Sequence, residues 1–138
     1  MESFNYIPNP IKDSKGNIVG QVYRPMILVK LCYKHKLSPF PMSCLLDSGS
    51  DRNLFPAYFA QNIGVKLTDG EEISIRGIGD IEIKAYRHKL RLYIDKKNFT
   101  TVIDFSHDQQ LPLLGRIGFF DHFDKIVFKE DKKIVELF

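Results

Sequence analysis

A chain of 138 residues with 43% apolar residues can build one cored domain and is too short for two ordinary ones. Its 20 basic and 17 acidic residues leave a net charge of +3, and the two signs are interleaved along the whole chain. A nucleic-acid binder would gather its Lys and Arg on one stripe, so no nucleic-acid partner is expected. The apolar stretches, such as residues 26–29, fall far short of the ~20 residues of a membrane span, and no membrane segment is expected. The first residues have neither the basic region nor the apolar core of a secretory signal. With two cysteines, Cys32 and Cys44, in apolar strand-like contexts, the expectation is free buried thiols and an intracellular, cytoplasmic location.

Residues 1–20 carry Pro8, Pro10, Asp13, Ser14 and Gly16 and read as an N-terminal arm or a loop-rich strand. From there the pattern is β. Strands are expected over 18–23 and 26–33, parted by Arg24-Pro25, with a hairpin loop over 34–41. Residues 42–46 form a short apolar strand that runs directly into Asp47-Ser48-Gly49-Ser50. A short helix should follow over 57–62, with Pro56 at its start and Gly64 just past its end. Strict alternation then sets in at Ile73 and Ile75, passes Gly77-Ile78-Gly79, and resumes at Ile81, Ile83 and Ala85. That is a period-2 hairpin with a glycine-flanked tip. Leu90, Leu92 and Ile94 continue a strand, 99–105 adds another, and 111–114 ends in Gly115. Residues 116–123 read as a helix, and 124–138 as a C-terminal hairpin turning at Glu130-Asp131-Lys132. The whole, residues 1–138, reads as a single all-β domain, a barrel or a sandwich, with one or two short helices.

The chemistry centres on Asp47. Leu45 and Leu46 bury the strand before it, so the carboxylate is delivered from the interior to the mouth of a loop. Gly49 allows close backbone approach or a positive φ, while Ser48 and Ser50 offer hydroxyls to a neighbouring carboxylate or backbone group. A carboxylate set among such donors is suited to activating water. Other polar groups have weaker claims. His35, His88, His107 and His122 lack the spacing of metal ligands, so neither metal nor cofactor is expected. Ser48 or Ser50 as a nucleophile would need a base that no local motif supplies. Asp104, Asp108 and Asp121 read as surface or capping carboxylates. Gly77-Ile78-Gly79 is no phosphate loop, since no Lys-Ser/Thr follows it.

Five stretches in order resemble the retropepsin-like (retroviral-type) aspartic peptidase family. Arg24-Pro25-Met26-Ile27 looks like its Arg-Pro-apolar segment, and Leu45-Leu46-Asp47-Ser48-Gly49-Ser50-Asp51 like its catalytic loop. Gly77-Ile78-Gly79 resembles the flap tip, Leu113-Leu114-Gly115-Arg116 the signature of the second loop, and Phe119, Phe120 and Phe123 the apolar face of the helix after it. The resemblance implies an all-β, closed antiparallel barrel of the acid-protease type and a homodimer in which Asp47 meets its counterpart from a second copy. One of the two carboxylates serves as base and the other, protonated, polarises the carbonyl of an extended peptide or unfolded protein substrate. It also implies an ion pair between Arg116 and Asp51, with Arg24 reaching across the dimer to the same Asp51. The sequence departs from retroviral enzymes at Ser48 and Ser50, where Thr and Ala are common, and at Arg52, where a second Asp is frequent. It also has some 20 residues before Arg24 and a hairpin after Phe123. A retropepsin-like module that only dimerises or binds peptides is the alternative reading, because fold does not imply function. The intact Asp-Ser-Gly-Ser favours the enzyme.

Overall fold

The computed structural model describes residues 1–77 and 79–138. Of the two expectations for the N-terminal segment, an arm or a loop-rich strand, it forms strand. β1 (Glu2–Asn5) pairs antiparallel with β13 (Ile134–Leu137), and β2 (Ile7–Lys12) forms a hairpin with β3 (Ile18–Arg24). The hairpin turn is held by Asp13, whose Oδ1 accepts hydrogen bonds from the backbone N–H groups of Lys15 and Asn17, both at 2.9 Å.

β4 (Met26–Tyr33) places Met26, Ile27, Val29 and Leu31 in the core. The loop expected over 34–41 is tighter than its composition suggests, because β5 (Lys36–Leu37) folds straight back on Cys32 and Tyr33. Lys34 makes that turn at φ 56°. β6 (Met42–Leu46) and β7 (Asn53–Pro56) flank the Asp47 loop. α1 (Ala57–Gln61) follows, with Pro56 as the residue before its first turn and Gly64 at φ 81° beyond its end. β8 (Glu71–Arg76) then pairs with β9 (Glu82–Ile94), one strand that runs from Ile83 and Ala85 through Leu90, Leu92 and Ile94. β10 (Lys97–Ser106) and the two-residue β11 (Leu113–Leu114) complete the barrel strands, and β12 (Ile126–Lys129) pairs with β13 in the expected C-terminal hairpin.

Strands β4, β6, β11, β7, β10 and β9 are neighbours in that order, and β9 returns to β4, which closes the ring. The barrel is not wholly antiparallel. β6 runs parallel to β11, and β7 parallel to β10. The reason lies in β11, which inserts between β6 and β7 and pairs antiparallel with β7. The chain therefore crosses over the end of β11 on its way from β6 to β7, and that crossing is the Asp47 loop. Inside the ring Phe55, Phe105, Ile27, Leu92, Ile103 and Leu114 are fully buried. Each such side chain contributes about 1.5–3 kcal/mol relative to exposure. Phe55 and Phe105 meet edge to face, with ring centroids 6.2 Å apart.

The helix expected over 116–123 is absent. Gly118 sits at φ 103°, outside the helical region, and only a single 3-10 turn, Phe120–His122, forms after it. From within this turn the Asp121 carboxylate reaches back to accept from the Gly118 N–H at 3.0 Å. Phe119 is nevertheless buried and Phe120 and Phe123 pack beside it, so the apolar face survives without the helix.

Candidate active site

The floor of the site is built from β11 upward. Leu114 pairs in parallel register with Leu46, and its carbonyl accepts the Asp47 N–H at 3.0 Å. Past Gly115 the chain runs beneath the loop, where the Arg116 N–H donates to Ser50 O at 2.9 Å and the Ile117 N–H to Asp51 O at 2.8 Å. Gly115 is required there because a Cβ would strike the backbone carbonyl of Arg52. Asp47 is partly buried, and its Oδ1 accepts a hydrogen bond from the Gly49 N–H at 2.9 Å. Gly49 serves through close approach and not through a positive φ, since an added Cβ would lie 3.2 Å from that same Oδ1. The Ser50 hydroxyl donates to Arg52 O at 2.8 Å and so braces the loop, while Ser48 is exposed.

Asp47, Gly49 and Ser50 open onto a cleft of about 700 Å³. Its opposite side is the β8–β9 hairpin, which contributes Ile73, Ile75, Gly77, Ile81 and Ile83. The hairpin ends in a tight turn, with the Gly77 N–H on Ile81 O at 2.8 Å, Gly79 at φ 82° and Asp80 at φ 64°. Arg76 pairs with Asp80 at 2.7 Å across this turn. Ile78, the expected tip residue, lies outside the described residues.

The expected Arg116–Asp51 ion pair does not form within the protomer. Both side chains are exposed and line a surface cavity of about 460 Å³ with Ile117, Phe120 and Asp121. Among the described residues the ion pairs within 4.0 Å are others. The two segments are tied instead by backbone, which leaves both charges in water. Arg24 is likewise exposed, at the end of β3.

Two elements of the site escaped the sequence reading. Asn53 is fully buried, and its Oδ1 accepts the Gly115 N–H at 3.0 Å while its Nδ2 donates to Val102 O at 3.2 Å. It thereby ties β11 to β10 beneath the Asp47 loop. Asp104, expected at the surface, is buried and binds Arg87 at 2.8 and 3.2 Å, and both residues line the cleft. The hydrogen bond that Arg87 donates to the Asp104 carboxylate holds the guanidinium pKa above its ordinary value, so Arg87 stays charged. Among the described residues no cluster of three or more His, Cys, Asp or Glu is disposed to hold a metal ion.

No protein-family model and no curated protein matches the sequence. Solved structures do match. A retropepsin-like aspartic protease from Rickettsia conorii is similar over 99% of this chain and 91% of its own, with a TM-score of 0.61 and 19% identity. EIAV protease, solved in complex with the inhibitor HBY-793, is similar over 67% of this chain and 82% of its own, with a TM-score of 0.52 and 18% identity. The fold is retropepsin-like. At these identities the likeness fixes the architecture alone. Within the retropepsin-like barrel, the Asp-Ser-Gly loop sits where β11 splits β6 from β7 and faces the cleft beneath the β8–β9 hairpin.

Proposed function

We propose that the chain is one half of a homodimeric aspartic endopeptidase, with a single active site made by two Asp47 carboxylates, one from each copy. The observation that carries this reading is a partly buried Asp47 at the floor of a 700 Å³ cleft, on a loop pinned from below by β11 and closed over by a β-hairpin. Hydrolysis by water needs a base and an acid at once. Two nearby aspartates sharing one proton supply both, because like charges ~3 Å apart cannot both ionise. The chain has one such loop, so the second carboxylate comes from a second copy. The attacking water is deprotonated by the ionised member while the protonated member hydrogen-bonds the substrate carbonyl oxygen.

An extended peptide suits the cleft, since Ile73 and Ile75 on β8 and Leu113 and Leu54 on the floor offer apolar contacts. The β8–β9 hairpin serves as the flap that closes on it. Cys32 and Cys44 are both free; burial pushes the Cys44 thiol pKa far up, which makes it a poor nucleophile, whereas Cys32, expected to be buried as well, is partly exposed.

The test is Asp47→Asn. It keeps the shape of the side chain and removes the base, so hydrolysis of a generic unfolded-protein substrate should fall to background while the circular dichroism spectrum is unchanged. Full hydrolysis by the Asn variant would contradict the reading.

A further inference from the structure

The cleft beside Asp47 is apolar along the hairpin and charged along one wall. That wall is a row across neighbouring strands. Leu54 stands in register with Asp104, Asp104 with Arg87, and Arg87 with Glu71. Asp104 is 1% exposed and Arg87 27%, so the buried carboxylate lies behind and the guanidinium lies toward the cleft. Arg87 spends Nε and one N–H of Nη2 on Asp104. Its Nη1 edge has no partner among the described residues, and it remains available as a fixed fork of donors. Arg52 lines the same cleft, partly buried, and among the described residues no carboxylate lies within 4.0 Å of it. The third arginine of the lining, Arg76, is already paired with Asp80.

Resting on the peptidase reading, we propose that Arg87, held by the buried Asp104 and joined by Arg52, forms a subsite for an acidic side chain of the bound peptide. Asp104 neutralises Arg87 overall, yet the pair is oriented with its positive end outward, and Arg52 adds a cation that nothing compensates at contact distance. A Glu or Asp of the substrate accepts charge-assisted hydrogen bonds there. Because Asp104 already fixes Arg87, little side-chain freedom remains to be lost on binding. Asp51 and Glu71 carry the opposite charge nearby, but both are exposed and their fields are screened by water and salt.

The experiment uses peptides that differ only by Glu or Gln at one residue, stepped along the sequence. Each is bound to the Asp47→Asn protein and offered to the wild type for cleavage. At one position Glu should bind roughly tenfold more tightly than Gln at low ionic strength. Arg52→Gln should cut this preference, and so should the double variant Arg87→Met/Asp104→Leu, which leaves no buried charge orphaned. Arg52→Gln changes a partly exposed side chain, so it reports even where the double variant fails to fold. Equal binding of Glu and Gln at every position, with cleavage intact, overturns this inference alone. A Glu preference that both folded variants retain also overturns it. Neither binding nor cleavage of any peptide overturns it together with the peptidase reading.

Discussion

Asn53 shows how much of this site rests on a residue with no chemistry of its own. Its amide accepts from Gly115 and donates to Val102, so a single side chain joins the strand under the Asp47 loop to the strand beyond it. Asn53→Ala leaves the Gly115 N–H buried and unsatisfied, at a cost of about 1–3 kcal/mol. Urea unfolding should show that loss, and kcat should fall with it because Leu114 and Asp47 are no longer held in place; an unchanged midpoint would show that another group satisfies Gly115. Asp47 was legible in the sequence because its signal is local, an apolar strand running into Asp-Ser-Gly-Ser. Asn53 was not, because its partners lie 49 and 62 residues away and only the strand order brings them near. Asp104 was misread for the same reason. Its partner Arg87 lies across the β9–β10 register, and a lone carboxylate in a strand gives no sign of burial.

At the scale of elements, the decisive feature is β11 threading between β6 and β7. Two residues of strand are enough, because the backbone bonds from Asp47 to Leu114, Arg116 to Ser50 and Ile117 to Asp51 continue the contact past its end. The threading demands a glycine at 115, where any Cβ collides with the Arg52 carbonyl. Gly115→Ala should therefore destabilise the protein by about 1–3 kcal/mol, as overpacking does. Gly20→Ala in β3 is the control, since an added Cβ there comes no closer than 3.9 Å to Ile11. A denaturation midpoint for Gly115→Ala equal to that of the control would show that the loop lifts freely from β11. The period-2 alternation gave the β8–β9 hairpin, and the proline and glycine flanks gave α1. The segment 116–123 misled because its apolar spacing fits a helix, whereas Gly118 at φ 103° and the bond from its N–H to the Asp121 carboxylate select a single tight turn. The Arg116–Asp51 pair fell with that geometry: once backbone bonds carry the connection, two exposed side chains have little to gain by pairing.

The whole molecule raises the question of where a second copy meets the first. The C-terminal strand β13 is flanked on both edges by its own chain, by β1 on one side and β12 on the other. β13 therefore has no free edge to offer a second copy. In the proposed dimer the partner would be met on other strands or on the loops around Asp47, where the two carboxylates would come together. Nothing in the sequence foretold this, because the pairing of residues 2–5 with 134–137 spans the entire chain. The proposed shared site has a consequence that a self-sufficient site would lack: Asp47→Asn protein, expected to be inert by itself, should capture wild-type chains in mixed dimers that hold only one aspartate. The direct test of a two-copy site is hydrolysis at fixed wild-type concentration, measured while Asp47→Asn protein is added from equimolar to tenfold excess and the mixture is left to exchange subunits. With a shared site the rate falls progressively toward background as mixed dimers replace wild-type ones. A rate that stays constant across the titration, with subunit exchange verified by mass spectrometry, would contradict a site built from two copies of Asp47.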